Sequence, residues 1–483
     1  ALRRSLLTVQ PVLASDASVV VMLDHGGADG LVAGVLGGVG AGFRLSAALL
    51  TESGEDIGGV LEFSMQPPAQ DETSDHPELD GLPRADPAGS FELADVERAV
   101  REVAVAVLRA RGEPARSERL LGEVLIGLDR LGHLRRLVGT QTFSETEARV
   151  EADVEVHEEA PAIDELEAGD ESPPAADEPP AWAIGSASAT DHVRLFMEIV
   201  MGELRRPDHP RLVELEGGRW WLRDRNDLDQ ARPPLSDRLE WAAFGLLSTA
   251  QSIDEAAFFD RLARMFRGHD TPDEDIVRAI VASYRDPSAP PDVLRPRDDL
   301  AGRHAEHGTL VGMLVEYGHR LGLRCWAAPR EQRRSYRGAT VGDLLNDDER
   351  RAYLPLVAAG DPHTLETMDC IWYVRGKATF LFEVEWTAML SEPLLRRGPR
   401  IPSDDTIVRF LVIPSERAEL VRLKLNRSPL LREAVERDNW HILKSDHLRR
   451  LYAHDEASLE LLGPLLGLDP EVERQAEQLP LFS

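Results

Sequence analysis

A β-hairpin pattern between residues 368 and 390 constrains the fold more than any other segment of the chain. Two runs rich in β-branched and aromatic residues, Cys370 to Val374 and Ala378 to Trp386, flank the turn Arg375-Gly376-Lys377. Short apolar runs around a glycine-containing loop are typical of antiparallel hairpins. The C-terminal part of the chain is therefore predicted to contain a β-sheet built on these two strands.

Three carboxylates lie on this hairpin. Asp369 stands at the start of the first strand, and Glu383 and Glu385 share one face of the second, because side chains alternate along a strand. Like charges at a spacing of about 7 Å repel, so a cation beside them is expected. Oxygen donors suit Mg²⁺ or Mn²⁺, and such an ion can activate a water and stabilise charge on a phosphodiester. The alternative is a hydrated strand that faces solvent.

Helices and strands are predicted to alternate around the hairpin. In chain order they are helix 307–321, strand 323–327, the hairpin, short helix 393–397, strand 407–413, helical run 417–435 and strand 441–443. Pro429 is expected to kink or split the helical run. The resulting order is α-β-β-β-α-β, with the carboxylates on the second and third strands.

This order, with Asp369 fourteen positions before Glu383, resembles the PD-(D/E)xK restriction-endonuclease-like superfamily over residues 300–455. The resemblance implies that Asp369 and Glu383 bind the metal ion. Glu385 stands where the family usually has lysine, although some active members carry glutamate there. A further metal-binding glutamate is implied on the preceding helix, with Glu306 favoured over Glu316.

Three phrases extend the likeness over residues 233–451. They read PPLSDRLEWAAFGLLST, WYVRGKATFLFEVEWTAMLSEPLLRR and NWHILKSDHLRRLY. They resemble the C-terminal region of bacterial DNA methylase-family proteins of restriction or phage-defence loci. The resemblance implies DNA as a partner, together with a methyltransferase half and a helicase or ATPase of the same system.

Residues 1–70 are predicted to fold as β-α-β-β, with strands at 18–23, 43–50 and 58–64 and a helix at 30–42. This resembles the C-terminal piece of a Rossmann-like methyltransferase. No glycine-rich loop with an acidic ribose-binding residue follows a strand, and no Asp-Pro-Pro-Tyr-like tetrapeptide occurs. S-adenosylmethionine is therefore not expected to bind this chain alone, which is predicted to be part of a longer or split methylase. An ordinary small α/β layer is the alternative.

Charge is distributed unevenly along the chain. The net charge of -30 argues against a simple nucleic-acid coat protein. However, residues 145–178 hold 14 acidic residues and one arginine, so segment 145–188 is predicted to be a disordered acidic linker. Basic runs flank the hairpin and could contact phosphate or simply be solvated. Their candidate nucleic-acid-binding residues are Arg333, Arg334, Arg396, Arg397 and Arg400.

The linker divides an α/β (α+β) multidomain chain. Residues 91–140 are predicted to be a small helical domain, and 456–483 a tail. Residues 189–290 are predicted to be a helical or winged-helix-like domain, either a DNA reader or a packing bundle. Its helices are 235–248, 253–266 and 272–284, with Ser252 and Thr271 as the N-caps of the last two.

The remaining composition favours a cytoplasmic protein. No apolar stretch approaches the length of about 18 residues needed for a membrane span. The two cysteines, Cys325 and Cys370, are expected to be free thiols in a reducing compartment.

Three hypotheses follow from the sequence. The first is a Mg²⁺-dependent endonuclease in which Asp369, Glu383 and Glu385 form the catalytic site. The second is a non-catalytic DNA-binding, specificity or assembly module of a DNA methyltransferase. The third is an interaction protein whose acidic linker mimics DNA or recruits a basic partner.

Overall fold

The computed structural model describes residues 2–23, 27–53, 56–65, 76–86, 93–136, 198–250, 252–297, 300–350, 366–401 and 406–468. The chain is a mixed α/β protein. It divides into two compact units, the first formed by residues 1–110 and 114–231 and the second by 111–113 and 232–483. The acidic linker 145–188 and the tail beyond residue 468 lie outside the described residues, so the predictions for them stay predictions.

The first unit begins with the predicted β-α-β-β segment. Its elements are α1 Leu2–Val9, β1 Ser18–Leu23, α2 Gly27–Gly40, β2 Arg44–Ser53 and β3 Asp56–Ser64. The strand order is β1-β3-β2, with both pairs antiparallel. A Cβ on Gly38 would lie 2.3 Å from the Phe63 ring, so only a residue without a side chain lets α2 approach β3 this closely.

Two further helices follow this sheet in the chain. They are α3 Leu93–Arg111 and α4 Ser117–Arg130, and the apolar stripes of both are buried. Helix α4 packs on β2, where Asp129 accepts a hydrogen bond of 3.0 Å from the Leu45 amide.

A small sheet and a short helix complete the first unit. The strands β4 Ala115–Arg116, β5 Leu212–Leu215 and β6 Arg219–Leu222 follow the order β4-β6-β5, and α5 spans Arg225–Asp229. Trp220 and Trp221 of β6 are buried, so both tryptophans belong to the core.

The second unit opens with the three expected helices. They are α6 Leu235–Thr249, α7 Glu255–Met265 and α8 Glu274–Tyr284, with the strand pair β7 Ile253–Asp254 and β8 Val293–Leu294. The predicted N-caps are wrong, because Asp254 and Asp273 occupy these positions, and Asp254 accepts a hydrogen bond from the Ala257 amide. The helices share one hydrophobic core with the C-terminal sheet.

The predicted helices and strands of the C-terminal region occur in the predicted order, together with short helices and strands between residues 329 and 350 and a last helix after residue 444 that were not predicted. They are α9 Leu300–Arg320, β9 Arg324–Ala327, α10 Pro329–Gln332, β10 Ser335–Tyr336, β11 Ala339–Thr340, α11 Asp347–Arg350, β12 Cys370–Val374, β13 Lys377–Val384, a π-helical turn Glu392–Arg397, β14 Val408–Ile413, α12 Ala418–Arg427, α13 Pro429–Arg437, β15 Trp440–Lys444 and α14 Ser445–Ala453. Five strands form one sheet in the order β15-β14-β13-β12-β9. Strand β12 is antiparallel to β9 and β13, whereas β13, β14 and β15 run parallel.

Local sequence signals explain this sheet well. Arg375 and Gly376 have φ angles of 49° and 78°, so the hairpin turn uses the left-handed region that glycine favours. Pro429 splits the helical run in two, and Ser428 caps the second helix. Trp372, Phe382 and Phe410 pack on the face of the sheet that meets α9.

Candidate functional site

The hairpin brings Asp369 and Glu383 together inside the protein. Asp369 is 1% exposed and Glu383 is 3% exposed. One oxygen of Asp369, Oδ2, accepts a hydrogen bond of 2.7 Å from the Val384 amide, next to Glu383. Burial raises the pKa of Glu383 well above its ordinary value, and the nearby Asp369 raises it further. The predicted pair therefore exists, but it is buried rather than hydrated.

Guanidinium groups neutralise these two carboxylates. Arg330 Nη2 donates to Asp369 Oδ1 at 2.8 Å. Arg397 Nη1 lies 2.9 and 2.8 Å from the two carboxylate oxygens of Glu383. Arg397 was a predicted phosphate contact, yet in the structure its hydrogen bonds go to Glu383. The pairing is expected, because a buried carboxylate without a positively charged partner is energetically costly.

Two residues outside the predicted site complete the cluster. His307 Nε2 lies 3.0 Å from Glu331 Oε2 and 3.7 Å from Asp369 Oδ2. One ligand atom from each of the three side chains can be chosen so that all lie within 4.8 Å of one another. His307 comes from α9 and Glu331 from α10, and α10 follows β9 directly. The short helix that carries Glu331 thus brings it beside the start of the hairpin.

The donor set of this cluster fits a divalent cation. His307 Nε2 is buried and faces two carboxylate oxygens, at 3.0 Å from Glu331 and 3.7 Å from Asp369. Burial raises the pKa of Glu331, but His307 and Arg334 outweigh this effect and bring it down to about 2. Glu331 is therefore ionised at neutral pH. An ionised carboxylate is the form that binds metals.

Glu385 lies at the end of the same strand. Its amide continues the sheet by donating to the Val412 carbonyl at 2.8 Å. Its Oε1 accepts hydrogen bonds from the hydroxyl of Thr387 at 2.5 Å and from the amide of Thr387 at 3.2 Å. Burial raises the pKa of Glu385 to about 7 despite these hydrogen bonds. A carboxyl group with this pKa can exchange a proton near neutral pH.

The helical glutamates implied by the family resemblance lie apart from this cluster. Glu306 pairs with Arg449 on α14. Glu316 accepts a hydrogen bond of 2.6 Å from the hydroxyl of Tyr336. Neighbouring residues on an α-helix point about 100° apart, so α9 cannot direct both Glu306 and His307 at Asp369. The helix offers an imidazole at the place where a carboxylate was expected.

The other predicted phosphate contacts lie around the cluster. Arg334 pairs with Glu331. Arg333, Arg396 and Arg400 are exposed, and Arg396 forms a 2.9 Å surface pair with Glu392. These three exposed arginines stay predicted contacts for a phosphate backbone.

Comparison of the chain with protein-family models, with curated proteins and with solved structures gave no match. Among the described residues, no helix is both long and apolar enough to cross a membrane. The functional assignment therefore depends on the chemistry of the site residues.

A buried ion-pair network fixes the segment that follows Glu385. Lys424 on α12 is fully buried, and its Nζ lies 2.6 Å from Asp237 Oδ1 and 2.9 Å from the Ala388 carbonyl. The same amine contacts Glu240, whose other oxygen accepts the Ala388 amide at 2.7 Å. Side chains of α6 and α12 thereby hold the backbone just beyond the site.

Proposed function

We propose that the C-terminal region, residues 300–455, is a PD-(D/E)xK-like domain that hydrolyses phosphodiester bonds of DNA with a divalent cation. In this proposal the chain is the DNA-acting component of a bacterial restriction-modification or phage-defence system in the cytoplasm. The observation that carries it is the cluster of His307, Glu331 and Asp369, whose ligand atoms lie within 4.8 Å of one another. Buried Glu383 lies beside Asp369 on the paired strand.

The site residues divide the work of hydrolysis. A divalent cation, Mg²⁺ or Mn²⁺, would lower the pKa of a bound water and stabilise charge on the phosphodiester. Asp369, Glu331 and His307 would hold it, and Glu383 would support Asp369. Glu385, with a pKa of about 7, would take the proton from the attacking water. The family resemblance places Glu385 at a position that usually holds lysine and that holds glutamate in some active members.

The charge balance of the site favours an anionic substrate. Asp369, Glu331 and Glu383 are paired with Arg330, Arg334 and Arg397. The three guanidinium groups at least match the charge of these carboxyl groups, because burial raises the pKa of Glu383 well above its ordinary value, so a bound dication would leave an excess of positive charge. A phosphodiester is attracted to such a site, and exposed arginines at its edge would contact neighbouring phosphates.

The second candidate function is a non-catalytic DNA-binding or assembly module of a DNA methyltransferase. The pairing of Arg330 with Asp369 and of Arg397 with Glu383 favours it, because both carboxylates are neutralised without an ion. In this case a methyltransferase half and a helicase or ATPase would be the partners. The β-α-β-β segment at the N-terminus would then join the methyltransferase half, which would carry the S-adenosylmethionine.

Plasmid cleavage separates the two functions. Methylated and unmethylated supercoiled DNA would be incubated with Mg²⁺ or Mn²⁺ and with the native chain, Asp369→Asn, Glu383→Gln or Glu419→Gln. Glu419 is the control, because it is 80% exposed and pairs with Arg422 on the same helix. Nicking that the first two substitutions abolish and the third preserves supports hydrolysis. DNA binding without nicking, equal in all four proteins, supports the non-catalytic module.

A further inference from the structure

We infer that the cation at the cluster of His307, Glu331 and Asp369 is a transition-metal dication such as Mn²⁺, Co²⁺ or Zn²⁺, bound in preference to Mg²⁺. The inference rests on the proposed function, because this is the ion proposed for hydrolysis. It narrows the expected cofactor, which the sequence left as Mg²⁺ or Mn²⁺.

The imidazole of His307 is the first reason. Mg²⁺ prefers an all-oxygen octahedral shell and is reluctant to lose water, whereas imidazole nitrogen suits Zn²⁺ and the other late first-row metals. The buried His307 Nε2 lies 3.0 Å from Glu331 Oε2 and 3.7 Å from Asp369 Oδ2, the two oxygens that would share a cation with it. A nitrogen in this position adds little to Mg²⁺ binding and much to transition-metal binding.

The arginines around the cluster are the second reason. Arg330 Nη2 holds Asp369 Oδ1 at 2.8 Å, and Arg330 Nε lies 3.0 Å from Glu331 Oε1. The oxygens that face His307 are shared as well, because Asp369 Oδ2 accepts the Val384 amide and Glu331 Oε2 pairs with Arg334, so both are weakened as oxygen donors. Two oxygens and one nitrogen are too few for Ca²⁺, which takes six to eight oxygen ligands.

The charge of the cluster is the third reason to expect a transition metal rather than Mg²⁺. The arginines already balance the carboxylates, so Coulomb attraction for a dication is weakened. Mg²⁺ depends mainly on that attraction, whereas a transition metal also gains a bond to nitrogen whose strength rises along the series from Mn²⁺ to Cu²⁺. Selectivity for the transition metal follows from the same ion pairs that neutralise the site.

Metal titration tests this inference without any nucleic acid. The native full-length chain, His307→Gln and His304→Gln would be titrated with MnCl₂ and with MgCl₂ by calorimetry, and Mn²⁺ binding would be followed by electron paramagnetic resonance. His304 is the matched control, because it lies one turn earlier on α9 and is exposed. We expect the native chain and His304→Gln to bind Mn²⁺ at least about tenfold more tightly than Mg²⁺, and His307→Gln to lose that preference.

Equal affinity for the two ions, unchanged Mn²⁺ binding in His307→Gln, or no binding of either ion would overturn the inference. Its failure is distinguishable from failure of the proposed function. Selective Mn²⁺ binding with no DNA cleavage would refute hydrolysis and leave the metal preference standing. Mg²⁺-dependent cleavage that His307→Gln does not change would refute the metal preference and leave hydrolysis standing.

Discussion

Replacement of Lys424 by methionine should destabilise the second unit strongly. The Lys424 ammonium is fully buried and contacts Asp237, Glu240 and the Ala388 carbonyl. Methionine keeps most of the side-chain volume but leaves two buried carboxylates without their cation. Removal of one partner from a buried ion pair costs about 3–5 kcal/mol, because the remaining charge is uncompensated. At about 2–4 °C per kcal/mol for a unit of this size, the melting temperature should fall by roughly 10 °C.

Urea denaturation followed by circular dichroism measures this loss. Arg422→Met is the control, because Arg422 lies on the same helix and pairs at 2.9 Å with Glu419, which is 80% exposed. Exposed pairs of this kind contribute about 0–1 kcal/mol. A loss below about 1 kcal/mol for Lys424→Met, or an equal loss for both variants, would refute the reasoning.

A compensated variant tests the cause of the loss. Combining Lys424→Met with Asp237→Asn and Glu240→Gln removes all three charges and keeps oxygens that can accept the backbone amides of Ser391 and Ala388. Because replacement of a whole buried ion cluster by neutral groups is often tolerated, the triple variant should recover most of the lost stability. A triple variant less stable than Lys424→Met would show that packing, not charge, dominates.

Two further predictions concern the site and the core beneath it. Burial raises the pKa of Glu385 to about 7 in the folded chain. Between the ordinary carboxyl pKa and pH 7 the folded chain therefore binds a proton that the unfolded chain has lost, and the free energy of unfolding falls as pH rises through this range. Glu385→Gln should therefore reduce the change in unfolding free energy between pH 5 and pH 8, by roughly 3 kcal/mol at most. An unchanged pH dependence would contradict the raised pKa of Glu385. A Cβ at Gly318 would lie 2.4 Å from Cys325 Sγ and 2.7 Å from Trp372 Nε1, so Gly318→Ala should cost about 1–3 kcal/mol in thermal denaturation. Gly245→Ala, which meets nothing within 4 Å on α6, should instead stabilise by about 0.5–1 kcal/mol, and similar effects of both substitutions would refute the packing argument.

The hairpin was predictable because its signals are local. Alternation of side chains along the strand placed Glu383 and Phe382 on opposite faces of the sheet. The Arg375-Gly376 turn fixed the pairing of the two strands. The split of the helical run also follows from one residue, Pro429. Signals of this kind act over a few residues, so they do not depend on how distant segments pack.

The composition of the site was less predictable because it is assembled from distant segments. His307 and Glu331 meet Asp369 only after α9 and α10 pack beside the hairpin. Nothing in the local sequence distinguishes His307 from His304, which lies three positions earlier on the same helix. Likewise, Arg397 belongs to a basic run that suggests phosphate binding. In the structure, however, it pairs with the buried carboxyl group of Glu383. Tertiary contacts decide which of several similar side chains reach the site.

The most direct test of hydrolysis at this site is the initial rate of supercoiled-plasmid nicking as Mn²⁺ concentration is increased. The native chain should show a rate that rises and saturates as the cluster of His307, Glu331 and Asp369 fills with metal. Asp369→Asn should remain at the background rate at every concentration, whereas Glu419→Gln should follow the native chain. A native rate that never exceeds that of Asp369→Asn would contradict the proposed function.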